Sequence, residues 1–147
     1  MALAGSKPTP EGQPKRNRMP TAEWTEVEDV PFGGPWPDLP DTYSEACGEP
    51  EKGEPWTPAT RRWFNVLKRM PHAKLWQEAE WEYLLASAIV HHRFVRGNNG
   101  AATELRRRES DMGTTADARR DLRIKYVPVD AGPRLATVTA MDSVRDL

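Results

Sequence analysis

A chain of 147 residues with 21 Lys+Arg against 22 Asp+Glu has room for one domain with tails and a formal charge of −1. Its single cysteine, Cys47, excludes an internal disulfide framework and fits a reducing compartment. The longest apolar run, residues 83–90, falls far short of the ~20 residues needed to span a bilayer, and MALAGSKPTPEGQPKRNR lacks a signal-type apolar core, so a soluble intracellular protein without membrane contact is expected.

The near-neutral total hides a division. Residues 1–57 hold ten of the 14 prolines, six of the ten glycines and 11 acidic against five basic groups. Proline fixes φ and removes a donor, so long helices and central strands are excluded here, and the low apolar content predicts an irregular arm, disordered or draped over another surface. Trp24, Phe32, Trp36, Leu39 and Tyr43 are spaced among the prolines. They suit docking on a partner or neighbouring subunit, or packing back on the chain's own helices. KRNR, with Lys15, Arg16 and Arg18, makes a basic arm.

Residues 58–127 hold 14 Lys+Arg against eight Asp+Glu and form the expected helical core. Helix A starts at Pro58 behind a Thr57 cap and stops at Pro71, with Trp63, Phe64, Leu67 and Met70 on one face. Helix B is predicted over residues 77–96 with Gly97 as its stop. Trp81, Leu84, Leu85, Ala88, His92 and Val95 share one stripe, and Tyr83, Val90 and Phe94 a second on nearly the opposite side. A helix apolar on two sides is buried on two sides, so the second stripe is expected to meet another subunit.

Helix C is expected over residues 101–112, with a thin apolar line of Ala101, Leu105 and Met112. Consecutive Arg106, Arg107 and Arg108 fan across about 200° of that helix. After Gly113, Thr114 with Asp117 reads as a cap for helix D, which places Ala118 and Leu122 inward and Arg119 and Arg123 on one face, with Arg120 and Lys125 adding charge. The fold class expected is all-α: a helical hairpin core of about four helices (58–127), a Pro-rich N-terminal arm (1–57) and a short C-terminal tail (128–147), in which LATVTAM alternates like an edge strand.

Little here can do chemistry. There is no Gly-rich phosphate loop and no Cys/His cluster with zinc spacing, and adjacent His91 and His92 diverge by about 100° on a helix. His92 reads as a hydrogen-bonded core histidine, and His72, in the A–B turn, as a cap or solvent contact. No catalytic residue, metal or cofactor is expected. Two basic helices around a Gly turn resemble a helix-turn-helix in outline and point to phosphate contacts through Arg106, Arg107, Arg108, Arg119, Arg120, Arg123 and Lys125, with Lys15, Arg16 and Arg18 as a mobile addition. A charge-laced surface that keeps an oligomer soluble is the competing reading.

The segments WTPATRRWFNVLKRMPHAKLW, EWEYLLASAIVHHRFVRG and ELRRRESDMGTTADARRDLRIKY, taken in order, resemble small subunits of tailed-phage terminases, especially those of phages infecting actinobacteria. The MGTTADARRDLRI block, after a helical hairpin and the R-x-x-E of Arg106 to Glu109, is the most specific part. The resemblance implies a non-enzymatic component in the host cytoplasm that forms a ring, recognises double-stranded viral DNA and regulates the ATPase and nuclease of a large subunit. A ring requires two different contacts per subunit, which matches the two stripes of helix B. The alternatives are a helical adaptor binding only protein and a small, dimeric transcription regulator.

Overall fold

The computed structural model describes residues 23–130, so the stretch with Lys15, Arg16 and Arg18 and the alternating LATVTAM lie outside it. Helix α2 (Pro58–Leu67) starts where the Thr57 hydroxyl accepts the Thr60 N–H at 3.2 Å. A 3-10 turn (Pro71–Leu75) leads to α3 (Glu78–Val95), where the Glu80 carboxylate accepts the Gln77 N–H at 2.8 Å. α4 (Ala101–Asp111) and the short α5 (Ala116–Asp121) follow.

α3 is the central rod and runs antiparallel to both neighbours. Its C-terminal end meets the start of α2, where the Thr60 hydroxyl shares a hydrogen bond with His91 Nδ1 at 2.9 Å. Its N-terminal end meets the end of α4, where Tyr83 Oη donates to Asp111 at 2.8 Å. Phe64, Leu67, Leu84, Ala88, Met112 and Trp56 form the core; Trp63, Trp81 and Leu85 are half-buried around it. The Tyr83 stripe of α3 is thus partly covered within the chain, by α4.

The proline-rich segment from residue 29 to 57 packs back on these helices. Phe32 donates its N–H to the Arg69 carbonyl at 3.0 Å, and its ring stacks on Trp81 at 6.0 Å. Lys68 Nζ lies 4.7 Å from the Trp36 ring centre. Tyr43, opening the one-turn helix α1 (Tyr43–Ala46), stacks on His92 at 3.9 Å. Trp56, 3% exposed, donates from Nε1 to the Pro40 carbonyl at 2.8 Å. Prolines exclude regular structure but not burial, and aromatic side chains bring large apolar area with a polar handle the irregular backbone can satisfy.

The all-α expectation needs correction. Strand β1 (Thr25–Glu28) pairs in parallel with β2 (Ile124–Val127), in a register that sets Val27 opposite Tyr126. Helix D ends at Asp121 and does not reach Arg123, which takes φ 58° and turns the chain out of the helix. Arg119 and Arg123 therefore share no helical face, and Leu122 is exposed rather than inward. The helix also starts one residue late: Thr115, not Thr114, accepts the Ala118 N–H at 3.1 Å. In the sheet, only Val27 is fully buried.

Candidate nucleic-acid interface

The orientation of α4 decides the roles of its arginines. Leu105 and Met112 are buried, which turns Arg106 and Arg107 outward, where both are exposed and form no ion pair among the described residues. Arg108 turns the other way. Its Nε donates to Glu104 at 2.7 Å, its guanidinium reaches Ser87 Oγ at 3.4 Å and lies 4.9 Å from the Tyr83 ring centre. That side chain braces α4 against α3.

The turn after α4 is built around Gly113, at φ 71°. A Cβ there would meet His72 Nε2 at 3.1 Å, Leu122 at 3.2 Å and Arg119 at 3.3 Å, so conformation and space both call for glycine. His72 is 2% exposed and joins three elements: Nε2–H donates to the Met112 carbonyl at 2.7 Å, leaving Nδ1 to accept from Tyr126 Oη at 2.6 Å. Burial lowers the His72 pKa; the Met112 carbonyl opposes that shift and Arg119 adds to it. Burial likewise raises the Tyr126 pKa. The solvent contact read for His72 from sequence is thus replaced by a buried pin between the helices and the sheet.

His92 is a hydrogen-bonded core histidine. Its Nδ1 accepts the Thr57 N–H at 3.4 Å, and Nε2 donates to Glu54 at 3.1 Å. His91 stacks on Trp63 at 4.7 Å, and desolvation first, then the neighbouring His92, lowers its pKa to about 4. Among the described residues no group of three or more His, Cys, Asp or Glu could hold a metal ion. No helix among them is long and apolar enough to cross a membrane.

The arginines beyond Gly113 divide again. Arg119 donates to the Gly113 and Thr114 carbonyls, each at 3.1 Å, and its guanidinium covers the Tyr126 ring at 4.7 Å. Arg120 is exposed and paired with Asp117. Arg123 is half-buried, and its carbonyl accepts the Thr25 N–H at 2.8 Å, so its backbone begins the sheet. Lys125 points outward from β2, 4.0 Å from Glu26 across the sheet. Trp24, Glu26, Ala116, Arg119, Arg120, Ile124, Lys125 and Tyr126 line an open cleft of ≈ 670 Å³ between α5 and the sheet. Trp24, 46% exposed, was read from sequence only as one aromatic of the arm.

Two outward basic groups result: Arg106 with Arg107 on α4, and Arg120 with Lys125 beside the cleft. Of the second α3 stripe, Tyr83 faces Arg108 and Asp111, Val90 is half-buried, and Phe94 is 41% exposed. A family model described as phage terminase small subunit matches residues 4–147. No curated protein and no solved structure matches the chain.

Proposed function

The chain belongs to the phage terminase small subunit family, and from that premise we propose that it is a non-catalytic, ring-forming subunit that recognises double-stranded viral DNA and regulates the large subunit's ATPase and nuclease. The family places it in phage DNA packaging. It acts in the host cytoplasm, with DNA, the large subunit and further copies of itself as partners and no cofactor. The observation that carries DNA contact is that Arg106 and Arg107 face outward from α4 and form no ion pair among the described residues. Arg108, Arg119 and Arg123 support that surface from within. Lys15, Arg16 and Arg18, outside the described residues, add charge to the same chain.

Phosphate contacts release counterions, so affinity for a duplex falls steeply with salt. Arg106→Ala with Arg107→Ala should weaken duplex binding about tenfold and reduce the slope of log K against log salt by about 2. Unchanged affinity and slope would remove α4 from the interface. A duplex affinity that is absent even at low salt in the unaltered protein would favour the adaptor, which binds only protein.

Assembly is assigned to the uncovered part of the second α3 stripe, Val90 and Phe94, with Tyr83 at its covered end. Val95, read as part of the first stripe, is exposed instead and lies about 100° round the helix from Phe94. Phe94→Glu should reduce the solution mass measured by light scattering from an oligomer to a monomer. Full assembly of that variant would move the contact elsewhere.

A further inference from the structure

The cleft between the sheet and α5 differs from the α4 surface in shape and in chemistry. Arg106 and Arg107 sit on a convex helix, suited to the backbone of a duplex. The cleft is concave, and at ≈ 670 Å³ it lies within the roughly 300–1,000 Å³ of pockets that enclose a small organic group. Its lining includes an indole that is 46% exposed, together with Arg120 and Lys125.

We propose that this cleft binds an unpaired segment of DNA, with a base stacked on Trp24 and the backbone tracked by Arg120 and Lys125. A duplex keeps its base faces inside the stack, so an indole walled into a cleft has a stacking use only for a base that has left it. Basic groups beside an exposed aromatic are the combination that holds single strands with little sequence preference.

The other members of the cleft fit these roles. Arg119 is held by two carbonyls and covers Tyr126, so its guanidinium is engaged within the chain rather than reaching for a ligand. Each cation has an acidic neighbour, Glu26 at 4.0 Å from Lys125 and Asp117 paired with Arg120, which limits the positive charge and shifts recognition towards stacking. The sheet register fixes the site: Thr25 lies opposite Ile124, which brings Trp24 beside the β2 and α5 side chains although some hundred residues separate them in sequence.

The inference rests on the DNA reading above, and the two can fail separately. The test is fluorescence anisotropy of the full chain with labelled oligothymidylate of about 12 nucleotides and a duplex of equal length. Trp24→Ala should lower single-strand affinity about tenfold, Trp24→Phe should restore most of it, and duplex affinity should stay within about twofold. Trp24 is half-exposed, and a far-ultraviolet spectrum checks that the variant folds. A second variant, Arg120→Ala with Lys125→Ala, should weaken single-strand binding and flatten its salt dependence. Loss of duplex binding alone on Arg106→Ala with Arg107→Ala would support two separate surfaces. Single-strand affinity that survives Trp24→Ala, with duplex binding intact, overturns the inference and leaves the DNA reading standing. Absence of binding to either probe in the unaltered protein overturns both.

Discussion

Residues 29–57 and residues 101–126 both look like surface when read as sequence, one for its prolines and the other for its arginines. They end up in different places. The proline-rich stretch supplies Trp56 to the core and places Phe32, Trp36, Leu39 and Tyr43 against the helices. The arginine-rich stretch stays largely outside, but two of its arginines, Arg108 and Arg119, are spent on holding the chain together. Composition thus marks where regular structure is excluded or charge is concentrated; the partners each side chain finds decide its role.

The sharpest way to break this contrast is Trp56→Ala. It removes a buried indole and the bond to Pro40, and should lower unfolding free energy by about 3–5 kcal/mol in denaturant titration. A change below about 1 kcal/mol would return the proline-rich stretch to a dispensable wrapping. Arg119→Ala comes next. Losing two hydrogen bonds and the cover on Tyr126 should cost about 1–3 kcal/mol, whereas the Arg106 and Arg107 double variant should stay within about 0.5 kcal/mol of the unaltered stability. Equal losses would erase the distinction between bracing and outward arginines.

Acid should sharpen the comparison more gently. His91, lowered to about 4, and His72, lowered by burial, both bind fewer protons folded than unfolded in the window below the ordinary value near 6.5. Their contribution is fully present above that value and is lost as pH falls towards 4. The urea midpoint should therefore be lower at pH ~5 than at pH ~7.5. A flat profile would mean that neither imidazole is held in its low-proton form.

Much of the helical core was legible before the structure. Pro58 behind Thr57 and Gly97 past the end of α3 are local signals, and α2 and α3 fall close to where they point. His92 sits among the apolar positions of α3, as its spacing implies, with its hydrogen bonds made. The sheet was not legible, because its strands are four residues each and their pairing joins distant segments. In hindsight, the alternation of TEVE, with Val27 alone buried, was the available signal for β1. IKYV read as a helix continuation because nothing in the composition of Arg123 announces its left-handed conformation. The cleft inherits that difficulty: Trp24 and Lys125 meet only through the register of a sheet that periodicity does not reveal. The division of the arginines was hidden for a simpler reason, since Arg106, Arg107 and Arg108 are identical letters that a helix sends in different directions.

The parallel pairing of Thr25 with Ile124 also sets an order in time. During synthesis β1 leaves the ribosome early and has no partner until nearly all of the helical core has followed it. Local contacts close first and distant ones last, so α2, α3 and α4 can assemble while Val27 is still uncovered. Among the described residues the cleft beside the sheet is then the last to be completed, and a chain stopped short of Tyr126 would lack both the strand that closes it and the hydroxyl that pins His72.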